Sequence, residues 1–127
     1  MKEFMLLIRN DINNQSSWTP EQHTEFLKKC EAYIAKLKKE KRLISAQPLV
    51  REGTIISKSD AGWMETAFNV SKEVQVGYYH VYARDLEEAI EMAKGNPEFD
   101  YGKSARVEVR PIKVKEEGTG FSYPRVR

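Results

Sequence analysis

The sequence has 127 residues, of which 40% are hydrophobic and 31% charged, a composition typical of one globular domain. Twenty-one Lys and Arg against 19 Asp and Glu leave a net charge of +2, too small by itself to predict binding to nucleic acid or to a membrane. A single cysteine, Cys30, and two histidines exclude an intrachain disulfide and a zinc site built from Cys and His ligands.

No run of residues approaches the ~20 apolar residues of a membrane span, and Phe4–Ile8 is too short for a signal-peptide core. We therefore expect a cytoplasmic protein with no nucleic-acid or membrane partner. The sequence contains no nucleotide-binding glycine motif and no metalloprotease or serine-hydrolase motif. No cofactor and no bound metal are predicted.

The first predicted strand is the compact apolar run Phe4–Arg9, which a polar loop follows. Thr19 can then cap a helix, with Pro20 at its first position and Gln22 placed to complete a capping box. The helical pattern continues to about Arg42. Its apolar side is predicted to contain His23, Phe26, Leu27, Cys30, Ile34 and Leu37.

Five strands and one further helix are predicted for the rest of the chain. Asp60-Ala61-Gly62 favours a turn that joins two of the strands into a hairpin. Gly95, with Pro97 shortly after it, favours the end of the second helix. The elements are the strands Leu43–Val50, Gly53–Ser59, Trp63–Val70, Val74–Ala83 and Ala105–Val114, and a helix capped by Asp85.

The order of these elements predicts an α+β fold, a ferredoxin-like β-α-β-β-α-β sandwich with an extra β-hairpin. Residues 1–115 are expected to form this domain, and residues 116–127 a C-terminal tail without a pattern of its own. Two helices are too few to cover both faces of the sheet, so they should lie on one side. The strand Val74–Ala83 nevertheless carries large side chains on both faces. Alternation assigns Val76, Tyr78, His80 and Tyr82 to one face and Tyr79 and Val81 to the other. We therefore predict a homodimer in which two open sheet faces pack together.

Five short segments of the chain carry a likeness to a known family. They are Met5-Leu6-Leu7-Ile8, Leu43–Leu49, Lys72–Tyr79, Asp85–Ile90 and Val107–Ile112. Their order and spacing resemble those of YCII-related proteins, and more specifically the DGPF subgroup, over roughly residues 3–115. The resemblance implies a dimeric α/β-barrel version of the ferredoxin-like fold, with a cleft between the helix and sheet faces.

The resemblance also implies candidate catalytic residues. The founding branch of the family is thought to use a His and Asp pair, and Glu21-Gln22-His23 matches the triplet that carries this His. The D-G-P-F turn corresponds to Glu65-Thr66-Ala67-Phe68, which keeps only the Phe and an acid. Gln47-Pro48 stands where the family usually has Gly-Pro, and Glu52 is the nearest acid after it. The candidate catalytic set is therefore His23 with Glu65 or Glu52.

The residues themselves leave alternatives open for this set. His23 is placed in the first turn of a helix, which disfavours the charged imidazole and suits a general base. The alternative is a polar residue at the point where the apolar side of the helix reaches solvent. Glu65, near Trp63 and Met64, is a candidate acid. The alternative for Glu65 is an exposed charge at a strand edge.

A second candidate site lies on the predicted open face of the sheet. Strand alternation predicts that Tyr78, His80 and Tyr82 project from this face, and it allows Arg9 and Arg110 to join them. Aromatic walls with cations suit a small anionic or aromatic ligand. The alternative is a dimer interface, in which Tyr and Arg are common.

Two functions follow from these candidates. The first is a homodimeric, cofactor-independent enzyme that performs acid–base chemistry, of lyase or isomerase type, on a small organic molecule. The alternative is a non-catalytic module that binds a small ligand or mediates assembly. A carboxylate within hydrogen-bond reach of His23 inside a pocket favours the enzyme, whereas an exposed His23 favours the binding module.

Overall fold

A computed structural model of the chain describes residues 1–68 and 72–124. Its elements are β1 (Lys2–Asp11), α1 (Pro20–Lys39), β2 (Leu43–Pro48), β3 (Thr54–Ser59), β4 (Gly62–Ala67), β5 (Glu73–Ala83), α2 (Leu86–Lys94), a 3₁₀ helix (Pro97–Tyr101) and β6 (Arg106–Pro111). The predicted strand Trp63–Val70 corresponds to β4, and its residues 69 and 70 lie outside the described residues. The 3₁₀ helix was not predicted.

Four strands form one antiparallel sheet in the order β2-β5-β1-β6, and β3 and β4 form a separate two-stranded sheet. Each α-helix connects two strands that are parallel to each other and separated by a third strand. This split arrangement is compatible with the predicted ferredoxin-like α+β fold and its extra hairpin.

Both α-helices pack on one face of the four-stranded sheet, as predicted. A single cluster of buried side chains joins Phe4, Leu6 and Val81 of the sheet to Leu37 of α1 and Ala89 of α2. These residues alternate along each strand with partly exposed ones, because successive side chains of a strand point to opposite faces. We call the helix-covered side the helix face and the other side the open face.

A β-bulge interrupts the alternation of β5. Ile8 pairs with Gly77 but the next residue, Arg9, pairs with Gln75, so Val76 is the extra residue of β5. The prediction that Val76 shares a face with Tyr78 is therefore wrong, because the bulge turns Val76 to the buried helix face. Glycine suits position 77, since a Cβ there would approach the Gln47 carbonyl oxygen of β2 to 3.1 Å.

Local capping explains where the helices begin and end. Thr19 and Gln22 form the predicted capping box of α1. The helix ends at Lys39 rather than near Arg42, because Lys41 has a φ of 58° in the left-handed region. Asp85 caps α2 through the Glu88 amide, and Gly95 follows its last turn as predicted.

Two segments stand apart from the four-stranded sheet. The β3–β4 hairpin turns at Asp60-Ala61, and nearly all its residues are exposed. Residues 114–123 fold back on themselves through the Gly120 amide, which donates to the Glu116 carbonyl, and a bridge between Lys115 and Ser122. The described part of the predicted tail, up to residue 124, therefore has a short turn of its own.

Candidate functional site

A cavity of about 500 Å³ lies between α1 and the helix face of the sheet. Phe26, Leu27 and Ile34 of α1 form one wall, and Ile8 and Val76 of the sheet form the other. The bulge helps to build this wall because it turns Val76 toward the helix. A largely apolar pocket of this size matches the usual dimensions of small-molecule sites.

A polar cluster, which consists of the buried Asn10, Asn96 and Glu98 and the exposed Ser104, adjoins the apolar walls. Asn96 and Glu98 line the cavity and are 3% and 8% exposed. The Asn10 side-chain amide donates to Glu98 Oε2 at 2.5 Å, and the Ser104 hydroxyl donates to Asn10 Oδ1 at 2.6 Å. Buried polar groups of this kind require partners, since an unpaired one costs ~1–3 kcal/mol.

The 3₁₀ helix sets the position of Glu98. Asn96 caps this helix, because its Oδ1 accepts a hydrogen bond from the Glu98 amide at 2.8 Å, and Pro97 occupies the first position. The Asn96 Nδ2 donor has no hydrogen-bond partner among the described residues, although it is buried. An exchange of the Asn96 amide atoms would not resolve this, since Oδ1 must accept from the Glu98 amide. The cluster thus keeps one buried donor unsatisfied.

Burial and the Glu98 carboxylate also raise the pKa of two ionisable groups beside the cavity. Burial raises the pKa of the Cys30 thiol to about 11, and the nearby charge of Glu98 adds to this effect. The pKa of Tyr79 is raised as well, first by burial and then by the neighbouring Cys30, Tyr33 and Glu98. Cys30 is therefore protonated at neutral pH and is not a nucleophile there.

Arg51 ties together two segments at the cavity mouth. Its guanidinium donates to the Ile12 carbonyl at 2.8 Å, to the Asp11 carbonyl at 3.2 Å and to Asn14 Oδ1. The loop after β1 is thereby held against the segment that follows β2. Arg51 lines the cavity, and all three of these contacts come from its Nη1.

The open face carries a hydrogen-bonded histidine and glutamate. His80 Nε2 lies 2.7 Å from Glu3 Oε1, and the Glu3 side chain is only 8% exposed. The Tyr78 hydroxyl lies 3.2 Å from the Ser45 hydroxyl on the same face. Tyr82 pairs with Glu3 in the register of the sheet, so Tyr78, His80 and Tyr82 lie together on this face as alternation predicts.

Acidic side chains surround the arginines of the open face. Arg9 contacts Glu108 at 3.0 Å and Glu73 at 3.6 Å. Arg110 contacts the second oxygen of Glu108 at 3.7 Å, and Arg106 contacts Glu73 at 3.4 Å. Arg9 and Arg110 thus share the predicted face, but Glu108 bridges them, and this carboxylate competes with any anionic ligand.

Comparison with protein families assigns most of the chain to one family. The family model of the YCII-related domain matches residues 3–113, which is most of the 127 residues. The chain belongs to the YCII-related domain family. A comparison of this YCII-related domain with curated proteins finds no match.

The structure does not join the predicted catalytic residues of the YCII-related domain into one site. His23 is exposed, and its ring packs edge-on at 6.0 Å from the ring of Trp18. Within residues 1–68 and 72–124, no carboxylate lies within ion-pairing distance of His23. Glu52 is exposed in the loop after β2, and Glu65 is exposed on the hairpin, opposite Ile56. None of the three lines the cavity.

Two further features, a group of metal ligands and a membrane-spanning helix, are absent from the described part of this YCII-related domain. No group of three or more His, Cys, Asp or Glu residues in these ranges is arranged to hold a metal ion. In the same ranges, neither α-helix combines the length and the apolar character that crossing a lipid bilayer requires.

Sequence analysis missed Asn96, Glu98 and Glu3 in this YCII-related domain. The pattern Asn96-Pro97-Glu98 is a helix start, with a capping residue followed by proline, although Gly95 and Pro97 were interpreted only as a helix end. That signal was available in the sequence. The pairing of Glu3 with His80 could not be read from the sequence, because it depends on the register of two strands whose paired residues are 77 positions apart.

Proposed function

We propose that this YCII-related protein binds a small organic molecule in the cavity between α1 and the sheet. The observation that carries the proposal is a cavity of about 500 Å³ with apolar walls and a largely buried, partly unsatisfied polar cluster beside them. Ligand sites combine a large apolar surface with a few fixed polar groups, and these supply affinity and orientation respectively. The exposed position of His23 favours binding over the predicted chemistry at that residue.

A thermal-shift screen of chemically diverse small molecules tests this proposal. A ligand present at 100 times its dissociation constant is expected to stabilise the folded protein by about 2.7 kcal/mol. Cys30→Trp places a large ring in the cavity and should abolish the shift, whereas Cys30→Ser, at the same position, should keep it. A ligand that binds Cys30→Trp as tightly as the unaltered protein would place the binding site elsewhere.

We also propose that the protein is a homodimer of the dimeric α/β-barrel kind, of the DGPF subgroup, in which two open faces pack together. The support is the position of Met5 and Leu7, two large apolar side chains on the face that no helix covers. The hairpin adds to this surface, since Trp63 and Ile56 are 73% and 63% exposed. An isolated two-stranded hairpin is marginally stable in water, so contact with a second copy would stabilise it.

Analytical ultracentrifugation tests the homodimer. At micromolar concentration we expect a species of twice the 14.7 kDa chain mass. Leu7→Glu places a charge on the open face and should yield the 14.7 kDa monomer. Leu86→Glu, which adds the same charge to an exposed position on α2, serves as the control and should leave the dimer intact. A monomer of the unaltered protein would contradict the proposal.

A second candidate function, acid–base chemistry on a small molecule, is favoured by the 2.7 Å contact between His80 and Glu3. A carboxylate that orients an imidazole is a common arrangement for proton transfer. In this candidate function, His80 and Glu3 perform the acid–base chemistry that the sequence analysis predicted for His23 with a glutamate. No cofactor is needed for such chemistry.

Turnover of a panel of lactones and enols, followed by ultraviolet absorption, tests the second candidate. Activity should fall at least ~100-fold in His80→Asn and in Glu3→Gln, the range that a general base typically contributes. His23→Asn is the matched control and should keep full activity. Loss of activity in His23→Asn, with activity retained in His80→Asn, would return the chemistry to the first helix.

We propose a cytoplasmic location on the basis of Cys30, the only cysteine, which is a free and partly buried thiol. Thiols persist in reducing compartments. Fractionation of cells with an antibody against the protein tests this location.

A further inference from the structure

We infer that the ligand of the cavity carries an amide edge, that is, an N–H donor next to a carbonyl acceptor, as in a primary carboxamide or a lactam. This inference rests on the proposed binding function and adds the chemical class of the ligand. It depends on two groups that belong to residues two positions apart, the Asn96 side-chain amide and the Glu98 carboxylate.

The two groups have opposite requirements. Asn96 lines the cavity and its Nδ2 is a buried donor without an acceptor among the described residues, so an oxygen or another acceptor on the ligand would satisfy it. Glu98 accepts from Asn10 through Oε2, and the described residues offer no side-chain donor to Oε1. The carboxylate can therefore accept from a further donor, since each of its oxygens can accept hydrogen bonds.

Only a group with both functions satisfies both residues. A carboxylate ligand would accept from Asn96 but would place a like charge beside Glu98, which is unfavourable in a buried site. An amine would donate to Glu98 but would leave Asn96 Nδ2 unsatisfied. An amide donates through N–H and accepts through C=O, so it meets both requirements without bringing a charge.

The rest of the cavity agrees with a neutral, apolar molecule. Leu27, Ile34 and Val76 offer a hydrophobic surface for the body of the ligand. Among residues 1–68 and 72–124, Arg51 is the only cation that lines the cavity, and its Nη1 already donates to oxygens of the loop after β1, whereas Glu31 and Glu98 are both acidic. The prediction of an anionic ligand relied on Arg9 and Arg110, which lie on the open face and contact Glu108.

Three fragments of matched shape test the inference: phenylacetamide, phenylacetate and phenethylamine. Each is titrated into the full-length ¹⁵N-labelled protein while backbone and side-chain amide shifts are recorded. Phenylacetamide is expected to bind at least ~10-fold more tightly than phenylacetate, because the acetate meets the like charge of Glu98. The largest shifts should occur at the Asn96 side-chain amide and at Cys30.

Two variants locate the source of the discrimination. Glu98→Gln keeps the size of the side chain but removes its charge, so the preference for the amide over the acetate should fall below ~3-fold. Glu31→Gln removes a charge of the same sign from α1 in the lining of the cavity and should keep the preference. If Glu98→Gln does not fold, the ranking of the three fragments on the unaltered protein still decides the inference.

Each alternative result has a separate meaning. Equal or tighter binding of phenylacetate or phenethylamine in the cavity would overturn the amide class and leave the proposed function intact. Binding of other compounds in the thermal-shift screen, with no cavity shifts from phenylacetamide, would do the same. If no compound of either set perturbs the cavity, the binding function itself is overturned, and the amide class with it.

Discussion

The two faces of the four-stranded sheet are built from the same strands but differ in chemistry. On the helix face, Leu6 and Val81 are fully buried in a cluster shared with both helices. On the open face, the neighbouring residue Leu7 is partly exposed, and ion pairs such as Arg9–Glu108 surround it. Adjacent residues of one strand thus serve either the core or a surface site.

The polar groups of the two faces also differ in how completely they are paired. Glu3 and His80 contact each other on the open face, and Glu73 and Glu108 each contact two arginines. Beside the cavity on the helix face, the Asn96 donor has no partner within residues 1–68 and 72–124. Within the described residues, the named polar groups of the open face therefore have partners, whereas the Asn96 Nδ2 donor beside the cavity has none.

The largest effect is expected from a substitution in the buried core on the helix face. Leu6→Ala should lower the free energy of unfolding by ~2–5 kcal/mol, because it leaves a cavity in a fully buried site. Leu7→Ala removes the same atoms from the open face and should cost less than ~2 kcal/mol, since that side chain is partly exposed. Urea unfolding at several protein concentrations measures both values. Equal losses at a concentration at which the protein is monomeric would contradict the assignment of the two faces.

The second largest effect is expected from alkaline pH, which should lower the free energy of unfolding through two residues of α1, Cys30 and Tyr33. The folded pKa of Cys30 is raised from 9.0 to about 11, and burial raises that of Tyr33 from 10.0 to about 12. Above pH 9 the unfolded chain therefore loses protons that the folded chain keeps, so stability is full below pH 9 and falls as pH rises toward 12. Urea unfolding between pH 8 and pH 11.5 should show this decline, and Tyr33→Phe should reduce it. A flat profile would refute the prediction.

The reactivity of cysteine offers a kinetic comparison of the two faces. With its pKa at about 11 rather than 9.0, Cys30 should react with iodoacetamide at pH 8 about 100-fold more slowly in the folded than in the unfolded protein. In a Cys30→Ala background, Ser45→Cys places the thiol on the open face. We expect faster alkylation of this thiol than of Cys30 in the monomer. Protection of the thiol that appears only in the dimer would support the proposed interface.

The smallest expected effect concerns the ion pairs of the open face. Arg9→Met removes contacts with Glu73 and Glu108 while it keeps an apolar stem of similar length. The loss in unfolding free energy should be below ~1 kcal/mol, because these side chains are more than a third exposed or close to it and solvent screens them. Thermal unfolding at low and high salt measures this loss. A loss as large as that of Leu6→Ala would mean that the face is buried in the folded assembly.

Much of the fold was predictable because its signals are local. The capping residues Thr19 and Asp85 gave the starts of both α-helices, and the turn at Asp60-Ala61-Gly62 gave the hairpin. The bulge at Val76 was not predicted, because a sequence with alternating apolar residues does not show where an extra residue enters a strand. That single residue reversed the predicted face of Val76 and supplied part of the cavity wall.

The candidate site was predicted less well than the fold. Strand alternation correctly grouped Tyr78, His80 and Tyr82, but it gave no carboxylate partner for His80. The likeness to the YCII-related family directed attention to His23, which the structure leaves exposed. The cavity itself has no sequence signature, since its walls come from a helix, three strands and the segment before β6.

The sequence by itself determined which segments become the α-helices and strands and, except at the Val76 bulge, which side chains share a face of each, because spacing and capping act between near neighbours along the chain. Only the tertiary structure decided that Asn10 meets Glu98 across 88 positions and that Glu3 meets His80. These contacts arise from strand register and from the packing of α1 on the sheet. Both are fixed by the burial of the whole core rather than by any local run of residues.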